Sequence, residues 1–114
     1  MEKLVQTFED GEVTLYKFAN NNTITIVVKK IRDNEYIAKI KWKFENLKRN
    51  DFEDDLLNYR YKSHNMAKIN EVLELYMSLK KHKNKSKSKK LLIAGLIQVI
   101  NDIKQEIYFQ QSLF

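Results

Sequence analysis

From Glu35 to Phe44 the chain switches side at every residue. Tyr36, Ala38, Ile40, Trp42 and Phe44 fall on one parity, and Glu35, Ile37, Lys39, Lys41 and Lys43 on the other. Sustained alternation of this kind suits a strand with one dry and one wet face, because a helix cannot separate those two sets. The pattern continues upstream. Leu4 to Phe8 and Glu12 to Phe18 flank Asp10-Gly11, a dipeptide suited to a tight hairpin since glycine takes positive φ cheaply and aspartate tolerates it. Asn20-Asn21-Asn22 and Asp33-Asn34 mark two further turns. Between them Thr23 to Ile31 is β-branched, with Ile24, Ile26 and Val28 on one face. Residues 1–46 therefore predict a four-stranded antiparallel meander with one apolar face in need of cover.

The period changes near Asn46 to Asn50. Asn50-Asp51 followed by Phe52, Leu56, Leu57 and Tyr59 predicts a short helix, with Asp51, Glu53, Asp54 and Asp55 suited to its positive end. Met66, Ile69, Val72, Leu73, Tyr76 and Leu79 recur at helical spacing on a second, with His64 in capping territory. A third helix is expected from an N-cap at Ser88 to about Gln110. Its stripe of Leu92, Leu96, Val99, Ile103 and Ile107 is widened by Leu91, Ile93, Ile97 and Ile100 to much of the circumference. A helix so apolar is either buried or paired with a partner. The expected fold class is α+β, a single domain over 1–114 in which two or three α-helices over 50–112 pack on one face of the meander. Gly95, in mid-helix, fits either close packing or simple tolerance.

Composition narrows the chemistry. The 114 residues include no cysteine, no proline and two glycines, which excludes disulfides, thiolate ligands and glycine-rich phosphate loops. His64 and His82 are the only histidines, and neither has a carboxylate at ligand-like spacing. The acidic run at 51–55 lacks a lysine or histidine spaced for a nuclease centre, so neither metal nor cofactor is expected. The N-terminal MEKLVQTFEDGE has no basic leader region, and the most apolar segment, Leu91 to Ile100, spans about 15 Å as a helix, half a bilayer core. These features lead us to expect a soluble, cytoplasmic, non-enzymatic protein.

Charge is the remaining signal. The net charge is +6. Residues 1–60 carry 11 basic and 11 acidic side chains, whereas residues 61–114 carry 10 and 4, so the whole excess lies in the second half. Much of it is the run KKHKNKSKSKK at 80–90, which contains Lys80, Lys81, Lys83, Lys85, Lys87, Lys89 and Lys90. Lysines at this density repel one another, and release of counterions on phosphate contact is one reason to keep them. The opposing consideration is codon bias: 18 lysines against 3 arginines, with 11 asparagines and 11 isoleucines, fit an AT-rich genome.

Two more features point the same way. Lys39, Lys41 and Lys43 form a row at ~6.8 Å steps on the wet face of the last strand, close to the phosphate repeat of an extended single strand. Lys17 and Lys29 extend it. Tyr59, Arg60, Tyr61 and Lys62 lie between segments, where exposed rings amid positive charge can stack on bases. Tyr36, Trp42 and Phe44 are expected in the core.

The leading expectation is a small accessory protein that binds nucleic acid, DNA or RNA and particularly single strands, through backbone contacts with little sequence reading. Small, single-domain chains from AT-rich genomes without catalytic signatures are common among products of phages and mobile elements, an origin we expect here. The alternative is an interaction protein or inhibitor of a host enzyme such as a nuclease. Its interface, or that of a homodimer, would be Leu92, Leu96, Ile97, Ile100 and Ile103 on the third helix. A small RNase is a third reading with no residue pattern in its favour.

Overall fold

A computed structural model describes residues 1–45, 47, 60–83 and 86–112. Four antiparallel strands, β1 (Glu2–Phe8), β2 (Gly11–Lys17), β3 (Thr23–Arg32) and β4 (Glu35–Lys43), lie in the order β1-β2-β3-β4. Two helices follow, α1 (His64–Lys81) and α2 (Lys87–Ser112). The short helix expected between Asn50 and Tyr59, with its acidic run, lies outside the described residues.

The alternation read from the sequence sets the faces. Tyr16, Ile24, Ile26, Val28, Ala38, Ile40, Trp42 and Phe44 are buried and meet Ala67, Val72, Leu75 and Leu79 of α1 and Leu92, Leu96, Val99, Ile100 and Ile103 of α2. Sheet and helix pair thus share one core, and both helices lie on the same side of the sheet. The β3–β4 pairing shifts register between Lys30 and Arg32, which leaves Ile31 exposed at the irregularity.

The two asparagine turns form where expected, and the first hairpin uses its residues differently. Phe8 pairs with Gly11, so the first hairpin turns on Glu9-Asp10, and Gly11 is the first residue of β2. Positive φ among the described residues belongs to Asn20, Asn21 and Asn34 (61–62°) and to no glycine. Gly11 is needed for clearance instead: a Cβ there would sit 2.6 Å from the Val28 carbonyl oxygen, with the Val28 carbonyl carbon and Lys29 Cα of β3 at 3.6 Å. Gly11→Ala should therefore destabilise the fold by about 1–3 kcal/mol through displacement of β3. Urea denaturation followed by the fluorescence of Trp42 reads this directly. At Gly95 a Cβ would lie 3.3 Å from the Phe18 ring and 3.4 Å from Ile24, so this glycine marks close approach of α2 to the sheet.

Helix ends follow capping chemistry. Ser63 caps α1 by accepting from the Met66 amide at 3.2 Å. Ser86, rather than Ser88, serves α2, its Oγ accepting from the Lys89 amide at 3.2 Å. Ser88 instead donates to the Glu45 carbonyl and ties the start of α2 to the end of β4.

Candidate functional site

Partners across an antiparallel ladder share a face, so the strand register draws the surface opposite the helices. One row reads Glu2, Lys17, Thr23, Lys43; the next Leu4, Leu15, Thr25, Lys41. Then come Gln6, Val13, Val27, Lys39 and finally Phe8, Gly11, Lys29, Ile37. No described element covers this face. Val13, Leu15, Thr25 and Val27, at its centre, remain partly exposed.

The charge on this face is one-sided. Lys17, Lys29, Lys39, Lys41 and Lys43 are exposed, against two carboxylates among the paired positions, Glu2 and Glu35, the latter engaged by Arg32 and Arg60. None of the five lysines forms an ion pair among the described residues. The column of Lys39, Lys41 and Lys43 runs along an outer strand, as the alternation predicts, and Lys17 joins it across Thr23 in the last row.

The lysine tract lies at the end of this column. Lys80 and Lys81 occupy the last turn of α1, and His82 is its C-cap residue. Lys87, Lys89 and Lys90 open α2, whose first turn contains no acidic residue. Positive side chains at a positive helix end oppose the macrodipole, each typically by about 0.3–1 kcal/mol at an exposed site. Lys80 Nζ lies 5.8 Å from the Tyr76 ring centre. Lys81, Lys83, Lys87 and Lys90 are exposed, Lys89 is half-buried, and Lys85 lies outside the described residues. Through the Ser88–Glu45 contact the tract joins the sheet two residues past Lys43.

Of the expected aromatic platform, Arg60 and Tyr61 are engaged with neighbours within the chain. Tyr59 lies outside the described residues. Arg60 pairs with Glu35 at 2.5 Å, a carboxylate that also holds Arg32. Tyr61 is half-buried, exchanges backbone hydrogen bonds with Tyr36 at 2.8 Å and donates its hydroxyl to Glu71 at 3.0 Å. Its role is to fasten the chain to the edge of β4. The α2 stripe is likewise committed elsewhere: Leu92, Leu96, Ile100 and Ile103 are buried against the sheet and α1, and only Ile97 of the five residues reaches the surface. An apolar girth that suggests a partner is here explained by two neighbours within the chain.

A polar network between β1, β2 and the helices has no counterpart in the sequence reading. Lys68, 2% exposed, donates to Glu12 at 3.2 Å and to Glu106 at 3.5 Å. Lys3 pairs with Asp102 at 2.8 Å and with Glu106, while the buried Tyr16 donates to Asp102 at 2.8 Å. Burial pushes the carboxyls of Glu12 and Asp102 up, but Lys68 at Glu12, and Lys3 and Tyr16 at Asp102, outweigh it and hold both below the usual range. Burial and the Asp102 bond raise the Tyr16 phenol. Beside the network lies a hollow of about 460 Å³ lined by Val5, Glu12, His64, Asn65, Lys68, Glu106 and Phe109. Part of the signal was present: Glu12 shares the parity of the core residues of β2 and Lys68 falls one turn before Val72, whereas Lys3 reaches this face only through its register opposite Tyr16.

No group of three acidic, histidine or cysteine side chains capable of holding a metal occurs among the described residues. No described helix is long and apolar enough to cross a membrane. No family model, curated protein or solved structure matches the chain.

Proposed function

We propose that this protein binds nucleic acid through the phosphate backbone, with single strands as the favoured form and little discrimination between sequences. The observation that carries this reading is the sheet face left uncovered by the described elements, on which five lysines, unpaired among the described residues, stand against Glu2 and an Arg-bound Glu35. Steps of ~6.8 Å along β4 suit the phosphates of an extended strand. The tract at 80–90 continues the charge past Lys43, and its concentration at the start of α2 runs against helix stability, as a surface kept for anions would.

Weak sequence reading follows from the residue types. Lysine contacts phosphate as a point charge, whereas the bidentate recognition of guanine belongs chiefly to arginine. Of the three arginines, Arg32 and Arg60 are engaged by Glu35. The face offers Leu4, Leu15, Val13 and Val27 beneath the bases, with Phe8 as its exposed ring. Stacking is therefore a smaller contribution than charge.

Fluorescence anisotropy with labelled single-stranded DNA, duplex DNA and RNA, repeated across salt, tests the proposal. The expected result is binding that persists at ~150 mM salt and is tightest for a single strand. Affinity that vanishes by that salt without preference would reduce the effect to a net charge of +6 and overturn the proposal.

A further inference from the structure

The two edges of the sheet differ. The outer edge of β4 is fastened at Tyr36 by Tyr61 and lined by Lys39, Lys41 and Lys43, which discourage pairing with another strand. Among the described residues the outer edge of β1 has neither device. Its seven residues run without a bulge, Leu4 to Phe8 is uncharged, and Leu4, Val5 and Phe8 are each 47–52% exposed. An edge with a free row of amides and carbonyls selects an extended strand.

We infer that the β1 edge is a self-association surface, which pairs antiparallel with β1 of a second copy about a twofold axis at Val5. This register engages all seven residues. Val5 faces its own copy, Leu4 faces Gln6, Lys3 faces Thr7 and Glu2 faces Phe8, so no like charges meet. Centring on Leu4 would leave Thr7 and Phe8 unpaired, and centring on Lys3 would oppose two lysines. On the helix side, Val5 and Phe109 line one hollow, and Phe109 is 63% exposed, so each copy brings apolar surface to the axis.

Charge favours the same arrangement. The lysine column lies on β4, at the far side of the sheet from β1. Joined at β1, the two columns stand seven strand spacings apart, ~33 Å, about four Debye lengths at physiological salt. Association through β4 would bring them together. This inference is independent of the nucleic-acid reading and is tested without nucleic acid.

Because the chain has no cysteine, a single one reports its neighbours. Val5→Cys places two thiols at a directly opposed strand pair, within disulfide reach. Under mild oxidation it should form the covalent dimer roughly tenfold faster than Met77→Cys, an exposed control on α1. In sedimentation at ~100 µM the native chain should be about twice 13.7 kDa, and Val5→Lys should be monomeric with unchanged circular dichroism. A native monomer at that concentration, a dimer that persists in Val5→Lys, or equal cross-linking of both cysteine variants would overturn the inference.

Discussion

Lys68→Met should lower stability at neutral pH by about 3 kcal/mol, measured by urea denaturation with Trp42 as the reporter. Methionine keeps the length of the side chain, so packing alone changes little. What disappears is an ammonium 2% exposed between Glu12 and Glu106. Glu12 is then left with Thr14 Oγ1 at 3.1 Å and His64 at 3.7 Å, against the cost of its own burial. Removal of one member of a buried pair is worth about 3–5 kcal/mol, and partial solvation of both carboxylates places this case at the lower end. Adding Glu12→Gln to Lys68→Met should recover part of the loss, since the orphaned charge goes with it. The acid limb should change as well. Glu12 and Asp102, held low in the folded state, contribute stability present above the usual carboxylate range and lost as pH falls through their depressed values. Without Lys68 the Glu12 share of that dependence should shrink. A loss under ~1 kcal/mol would mean that the network is not an integral part of the core.

Glu71→Gln should act in the opposite direction and raise stability at pH 8 by about 2–3 kcal/mol. Glu71 is 1% exposed; its Oε1 accepts from Tyr61, and its Oε2 has no hydrogen-bond partner among the described residues. Burial pushes its pKa up to about 7, against the pull of the Tyr61 bond and with a push from the Glu74 charge. The folded state thus holds a proton that the unfolded chain releases near the ordinary value of 4.5. Stability from this group is complete below pH 4.5, falls as pH rises, and is lost once pH passes about 7. Glutamine keeps an acceptor for Tyr61 and has no proton to lose. The advantage of the variant should therefore be large at pH 8 and close to zero at pH 4.5, by thermal or urea unfolding. An equal loss at both values would show that the carboxyl contributes through shape or donor pattern and not through its charge.

These buried charges explain where sequence reading stops. Turn residues located the first two strands, and alternation gave the faces of the last two because a sheet covered on one side imposes a strict period. It placed Lys39, Lys41 and Lys43 outside by parity alone. Helical spacing located α1 but turned it slightly: Met66 is 47% exposed, while Ala67, Lys68, Glu71 and Leu75 are buried. An apolar stripe discounts charged residues, and Lys68 is internal because Glu12 and Glu106 arrive from elements distant in sequence. The girth of α2 signalled burial without naming the neighbour. Gly11 was legible as a special position, yet its reason, the carbonyl of Val28, belongs to the third strand and to no local turn rule.

The sharpest test of the lysine face compares salt dependence before and after its charge is removed. Binding of a labelled single strand would be measured from 50 to 300 mM salt for the native chain and for Lys39→Gln/Lys41→Gln/Lys43→Gln. Each phosphate contact on a single strand contributes roughly 0.7 to the slope of log affinity against log salt. If the column tracks the backbone, the variant should bind more weakly and its slope should be shallower by about 2, with the unfolding curve unchanged. Equal slopes and equal affinities would contradict the account and remove the sheet face from the site.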